Sequence, residues 1–399
     1  MSVAQLLYPE EYRITKQSIR TLHILIYVLD FNMRKIAELT GIVLDGSSFS
    51  IDATSDIRRT CSLSIIPISA DFDISQESYI WIDKYVQIQI GIEDIENHNR
   101  VVYTNIGTYL INNPTKVYNA TTNTLSISGV DMMAKLTGMR NGYLTGEEGG
   151  SQYQITHGTK IADAVKGAFA LGGFNTVVLP SLYSNPFQPT PTVPNDILIS
   201  VGGTIYSMLK ELVDINSFYQ MYFDVNGIPH VDKIPSGDNE LIMVDDDLWS
   251  ELLIQYNQDI SFEEVKNVVE VYGKTSDSGV TPYAKVEDLD PNSPFYVNGT
   301  AGRLNIVLSG GEYDNIQTTE LAQDRAEYEL YLRCRLQDQI TITTVPIYWL
   351  DVNWLVEITL PNKQGIQTTE KYIIKKIDTN VGVSGTQNIT LMKYYPTDV

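Results

Sequence analysis

Trp81-Ile82-Asp83-Lys84-Tyr85-Val86-Gln87-Ile88-Gln89-Ile90 decides how this chain is read. From Val86 onward apolar and polar residues alternate, the period of a strand with one dry face and one wet face. A later stretch answers it: Trp349-Leu350-Asp351, then Trp354, Val356 and Ile358. Downstream, Tyr109-Leu110-Ile111 matches Tyr372-Ile373-Ile374. Asn123-Thr124-Leu125-Ser126-Ile127 then matches Asn388-Ile389-Thr390-Leu391 with one residue of slippage, and the connection in the second copy is shorter by five residues. Self-similarity at so long a period implies repeated domains rather than a solenoid. The expected fold is mainly β with an α+β insert: two duplicated β-barrels, with Trp81 over Trp349 and Tyr109 over Tyr372, flanking a small α+β domain.

Working outward, residues 1–20 are polar and mixed, an arm or a first edge element. Strand text follows at residues 23–29, 35–44, 48–52 and 60–67, broken by Gly41, Asp45 and Gly46. The first unit is set at residues 1–137. Residues 138–256 change character. Ile161, Ala164, Val165, Ala168 and Leu171 recur at helical spacing, as do Ile205, Met208, Leu209, Leu212 and Val213. A hairpin then turns at Asn226-Gly227, and the Pro-rich stretch 180–194 is a long connection between the helices. The third unit, 257–399, has a strand ending at Tyr272, a loop at 275–302 and a helix at 319–335. That helix is expected to pack on the second barrel through Leu321, Ala322, Ala326 and Leu330.

The 399 residues carry 25 Tyr against 10 Phe and two distant cysteines, Cys61 and Cys334. Such a chain is long enough for cores that need neither disulfides nor metal. No apolar run approaches the roughly 20 residues of a membrane span; no membrane insertion is expected, nor export by a signal peptide. The net charge is −21, and residues 201–300 hold 18 acidic and 5 basic residues. That excludes binding to a phosphate backbone by counterion release. It suits either simple solubility or the wall of a passage through which nucleic acid must slide, with Asp52, Asp71 and Asp73 as further candidates for such a wall.

Catalytic constellations are missing. Gly146–Gly150 is glycine-rich, but Glu147 and Glu148 would repel phosphate. The four histidines, His23, His98, His157 and His230, show no metal-ligand spacing. His230 and Asp232 share a strand face. Asp224-Val225-Asn226-Gly227 imitates the start of a calcium loop, yet Lys233 and Ile234 stand where its last ligand belongs. Asp245-Asp246-Asp247 and Glu263-Glu264 offer paired carboxylates, and Arg333 and Arg335 flank Cys334, an arrangement that can lower a thiol pKa. Each has a plainer reading as a turn, a solvated face or a packed helix. Three glycosylation sequons, at Asn119, Asn298 and Asn388, are chance matches in a chain made in the cytoplasm. Trp81, Trp249, Trp349 and Trp354 would stack on sugars if exposed. No catalytic residue, cofactor or metal is assigned, and the chain is read as non-enzymatic.

The run Asp56-Ile57-Arg58-Arg59-Thr60, then Gly107-Thr108-Tyr109-Leu110-Ile111 and Ser126-Ile127-Ser128-Gly129-Val130-Asp131, opens a series. Ser207-Met208-Leu209-Lys210-Glu211-Leu212, the Asp224–Gly227 turn and Asn267-Val268-Val269-Glu270-Val271-Tyr272-Gly273 continue it, before a helix ending Tyr331-Leu332-Arg333. This order resembles the baseplate hub (late-control or tail-hub) proteins of contractile phage tails and phage-tail-like bacteriocins. It is similar also to the N-terminal core of tail-associated proteins of flexible-tailed phages. The resemblance implies tail-tube-like barrels in a homotrimer, three chains times two barrels, joining a sixfold tail tube to a threefold spike or tip. The implied partners are the tail tube or distal tail protein, the spike or tip protein and the tape measure protein, with no specific nucleic-acid binding. The implied place is the virion tail or baseplate. Hubs that cut cell wall carry a lytic domain after this core; with Val399 ending the chain, no fused lysin is expected. The alternative is a surface carbohydrate-binding (host receptor) module.

Overall fold

The computed structural model describes residues 2–396 except 40, 44–45, 68–71, 99, 122, 145–151, 185–190, 195, 217, 276–278, 311–312, 314–315, 317, 335–336, 362–364, 366 and 383. Gly146–Gly150, Asp45, Asp71 and Arg335 thus lie outside the described residues.

Mainly antiparallel β-structure dominates, and thirteen strands share one hydrogen-bonded sheet. In the N-terminal part, Arg59–Pro67 pairs with Asn123–Val130, that strand with Arg100–Tyr118, and that one with Tyr85–Asp94. Leu22–Leu29 and Lys35–Leu39 extend the edge. In the C-terminal part, Gln337–Thr344 pairs with Gln387–Lys393, that strand with Gln367–Asn380, and that one with Leu355–Pro361. Ser48–Asp52 joins the parts, pairing Arg59–Pro67 on one side and Gln367–Asn380 on the other. The alternation does what it should: Val86, Ile88 and Ile90 are buried with Leu63, Tyr109 and Ile127. Val356, Ile358, Tyr372 and Ile389 are buried in the C-terminal core.

The ladders put Tyr109 and Tyr372 in like positions but shift the match of the first stretch by two residues, so that Val86 answers Val356 and not Trp354. Val86 faces Tyr109 and Val356 faces Tyr372. Both long strands bulge at the same step, between Ile111 and Asn113 and between Ile374 and Lys376. The tryptophans do not correspond. Counting back from Val86 and Val356, Trp81 matches Asp351, two residues past Trp349. Neither tryptophan is on a strand, so no ladder position locks them together, and the turn before Leu355 absorbs two extra residues. Among the described residues eleven of the thirteen strands form an open path, Leu355–Pro361 and Gly41–Val43 pair off it, and no ladder closes either set of four into a barrel.

Three further expectations change. Residues 3–15 form two short helices, Val3–Leu7 and Pro9–Thr15. Ala4 and Tyr12 are buried against the C-terminal core, while Arg13 reaches back to Asp94 and Glu96. The loop at 275–302 contains a strand, Tyr283–Glu287, in a separate three-stranded sheet with Val268–Tyr272 and Asn305–Ser309. The helix Thr319–Arg333 covers that sheet and not the second set of strands, with Ala322 and Ala326 against Val269, Val271 and Ala284. Alanines let the helix lie close to a small sheet; Ala322, Ala326 and Leu330 face it, Leu321 does not, and the partner is not the expected one. Leu330 is only half-buried there. Leu330→Ala should therefore cost about 1–2 kcal/mol in a denaturant titration, below the roughly 2–5 of an enclosed leucine.

Between the two parts, Ile161–Leu171 and Ile205–Val213 bury Val165, Phe169, Leu209 and Leu212 in one core with Phe223 and Val231 of the hairpin Tyr219–Phe223/Pro229–Lys233. Thr204 caps the second helix by accepting from the Ser207 N–H at 3.0 Å.

Candidate functional site

Three segments far apart in sequence meet where Arg59–Pro67 begins. Arg58 and Arg59 are 6% and 1% exposed. Removing two guanidinium groups from water is costly unless their charges are answered; Arg59 meets a carboxylate, though its Nε has no hydrogen-bond partner, and Arg58 meets an amide oxygen and an aromatic face. Arg59 Nη2 donates to Asp351 Oδ2 at 2.5 Å. The Arg59 backbone N–H donates to Asp131 Oδ2 at 2.9 Å. Asp131 Oδ1 accepts the Met133 N–H at 2.9 Å, capping the short helix Met132–Lys135. Arg58 lies over the Tyr222 ring at 4.2 Å and donates to Gln220 Oε1. That oxygen also accepts from Asn353 Nδ2 at 2.5 Å, and Asn353 Oδ1 accepts from Lys375 Nζ at 3.1 Å. Asn353 sits at φ 60°, in the left-handed region that asparagine tolerates better than most residues.

The junction therefore ties the N-terminal strands (Arg58, Arg59, Asp131) to the hairpin (Gln220, Tyr222) and the C-terminal strands (Asp351, Asn353, Lys375). Behind it, Tyr109 is fully buried. A Cβ on Gly107 would come within 2.7 Å of the Tyr109 hydroxyl, and one on Gly129 within 2.6 Å of Cys61 Sγ. Those two glycines leave the space the ring fills.

Burial pushes the Asp131 carboxyl up to about 6, against the pull of the Arg59 and Met133 N–H groups and the two arginines. An unfolded aspartate titrates near about 3.9. The folded chain holds this proton more tightly, so the contribution of Asp131 to stability declines as pH rises from about 4 through about 6. Asp131→Asn is expected to flatten the urea midpoint against pH over that window. An unaltered slope would place the proton elsewhere.

A second contact locks the hairpin tip. Asp224 Oδ1 accepts the N–H groups of Asn226 and Ile228 at 2.9 and 2.8 Å, which fixes the Asn-Gly turn, with Gly227 at φ 75°. Thr108 Oγ1 donates to Val225 O at 2.9 Å, and Asn105 Nδ2 donates to Asn226 Oδ1 at 2.8 Å. The residues resembling a calcium loop thus dock the hairpin on the strand that carries Gly107–Ile111. His230 lies 3.5 Å from Asp224 and 3.9 Å from Asp232, stacked on Tyr222. No group of three or more His, Cys, Asp or Glu suited to a metal occurs among the described residues.

The remaining acids and the thiol are dispersed. Asp246 accepts the Thr359 N–H at 2.5 Å and Asp245 the Tyr12 hydroxyl at 3.2 Å; Glu263 and Glu264 lie exposed in a turn. Burial and the Asp288 carboxylate push the Cys334 thiol up to about 12, the reverse of the lowering that flanking arginines suggest. Burial does the same to Cys61. Trp249 and Trp349 are buried, and Trp349 stacks on Tyr8 with ring centroids 5.7 Å apart. Among the described residues no helix is long and apolar enough to cross a membrane.

The sequence flagged Arg58-Arg59 as part of a resemblance and gave neither residue a task. Two adjacent arginines opening a strand of an acidic chain were the available signal, since one of the pair must point inward. Gln220, Asn353 and Lys375 gave none.

The whole architecture matches the 43 kDa tail protein of prophage MuSo2 from Shewanella oneidensis, with a TM-score of 0.61 at 13% identity, over 94% of this chain and 98% of that one. This is the fold of prophage tail proteins. The tail protein of Neisseria meningitidis shares it, with a TM-score of 0.57 at 12% identity, over 93% of this chain and 96% of that one. So does a chain of the half-lidded Francisella PdpA–VgrG complex, with a TM-score of 0.54 at 11% identity, over 98% of this chain and 63% of that one. Residues 292–397 match a family described as a domain of unknown function (DUF5048). No curated protein matches the sequence. Within the tail-protein fold, that family match takes in the helix Thr319–Arg333 and the whole C-terminal set of four strands.

Proposed function

We propose that this chain is a non-catalytic structural hub in the tail of a phage or phage-tail-like particle. In this reading three copies form a ring. The two four-stranded sets of each copy act as tube-like barrels, so six similar units face a sixfold tail tube or distal tail protein, and the threefold side receives a spike or tip. The observation that carries the reading is the repeated strand order with its bulge at the same step, in a chain with the tail-protein fold. A ring is the closed solution that lets a duplicated chain meet a sixfold partner. The PdpA–VgrG likeness supports a place beside a spike. The acid-rich stretch 201–300 suits a wall past which tape measure protein and DNA move without adhering.

The carbohydrate-binding alternative loses its best ligand platforms, because Trp249 and Trp349 are in the core. A reconstruction of the assembled particle is expected to show three copies with a pseudo-sixfold face. Any other copy number, or a position away from the axis, overturns the hub reading.

A further inference from the structure

The two strand sets differ at one step. In the first, Ser48–Asp52 turns into Arg59–Pro67 through residues 53–58, and the second strand goes on to pair Asn123–Val130. In the second set, Leu253–Ser261 pairs Gln337–Thr344, which goes on to pair Gln387–Lys393. Here residues 262–336 stand where the short turn belongs. The insert leaves and rejoins the ladder side by side, since Ser261 is the register partner of Gln337. A second tie lies just beyond, where the Lys266 N–H donates to Arg333 O at 3.1 Å. A unit whose two ends meet can move without disturbing the sheet that carries it.

Inside, the insert is braced on its own. Its core of Val269, Val271, Ala284, Ala322 and Ala326 draws only on residues of the insert. Buried Asn267 accepts the Leu304 N–H at 2.7 Å and donates to Phe295 O and Gly302 O at 2.8 and 2.7 Å. Glu329, 2% exposed, accepts the Tyr313 hydroxyl at 3.2 Å and stands between Arg325 and Arg333. Toward the middle unit the insert is open: a cleft of about 750 Å³ lies between Ile205–Val213 and Thr319–Arg333. Phe218, at the start of the hairpin, reaches across it. Its ring meets Tyr328 and Tyr331 edge-on, with centroids 5.0 and 5.4 Å apart. Phe218 sits at φ 63°, a conformation a bulky residue keeps only while its surroundings hold it. Moving the insert away would part the rings and let that backbone relax.

We infer that residues 262–334 swing as one body about the paired ends Ser261 and Gln337, with Phe218 on Tyr328 and Tyr331 as the latch. The device is independent of the hub reading. Spin labels at Lys210→Cys and Glu320→Cys, exposed positions on the two facing helices, report the cleft in the full chain. Cys334→Ser confines labelling to those sites, Cys61 being buried. The parent should give one narrow distance distribution. Phe218→Gly, which suits the positive φ and removes the ring, and Tyr328→Ala should each shift it to longer distances. Hydrogen exchange should stay slow in Val268–Tyr272 and Thr319–Arg333, because the body moves intact. With the latch unaltered, urea below the global transition should lengthen the same distance before the circular dichroism changes. If Phe218→Gly fails to fold, Tyr328→Ala and the urea series decide. An unchanged distribution in the folded variants overturns the inference, as does a distance that changes only with the circular dichroism. So does fast exchange throughout the insert, which is unfolding and not a swing.

Discussion

Arg59→Ala is expected to lower stability by about 3–5 kcal/mol, the cost of breaking a buried ion network from one side. Surface ion pairs are worth far less, about 0–1 kcal/mol, and Arg59 differs from them in two ways. Its guanidinium is sealed from water. The carboxylates it faces are unequal in what they can do when it leaves: Asp351, 22% exposed, can turn toward solvent, whereas buried Asp131 cannot. A cycle with Asp351→Ala should report a coupling of about 1–3 kcal/mol. The midpoint of the urea transition is the measurement. A shift as small as a surface substitution gives, under about 0.5 kcal/mol, would mean that the junction is neutralised by something other than this pair.

Trp349→Ala should cost a similar amount, about 3–5 kcal/mol, and should do something Arg59→Ala does not. Trp349 is the surface on which the N-terminal helices rest. Tyr8 and Tyr12 lie against its ring with centroids 5.7 and 5.8 Å away, and its indole N–H donates to Thr15 Oγ1 at 3.2 Å. Removing it leaves Pro9–Thr15 held by Ile14 against Ile92 and Val102, by Tyr8 on Trp354, and by the ion pairs of Arg13 with Asp94 and Glu96 and of Glu10 with Arg100. Those contacts hold the end of the arm at Ile14 and leave the Tyr8–Tyr12 face without its main platform. Limited proteolysis should therefore cut within residues 2–16 of the variant well before it cuts the intact protein. Trp81→Ala is the control. Trp81 is half-buried in a turn and should change stability little and leave the arm uncut. Equal protease resistance of Trp349→Ala and the parent would show that the arm is held by those other contacts.

The sequence alone determined where the alternating strands and the helices Ile161–Leu171, Ile205–Val213 and Thr319–Arg333 lie, because alternation and helical spacing report which face of each element must be dry. Val86, Ile88 and Ile90, and the helix positions Leu209 and Leu212, needed no other information. It determined the equivalence of Tyr109 and Tyr372 too, since both sit inside strands whose pattern pins them to a ladder. The tryptophans escaped because they stand in turns, where an insertion of two residues costs nothing and shifts no side chain to the wrong face. Only the tertiary structure decided the partners. Which sheet receives the alanine face of Thr319–Arg333 depends on a strand, Tyr283–Glu287, hidden in a Gly- and Pro-rich stretch. That Tyr8 and Tyr12 meet Trp349 depends on a chain reversal of over 300 residues. The Arg58–Arg59 junction is the plainest case: each residue in it looks like an ordinary surface polar group by itself. Burial creates the need for a counter-charge, and burial is a property of the assembled chain rather than of any local pattern.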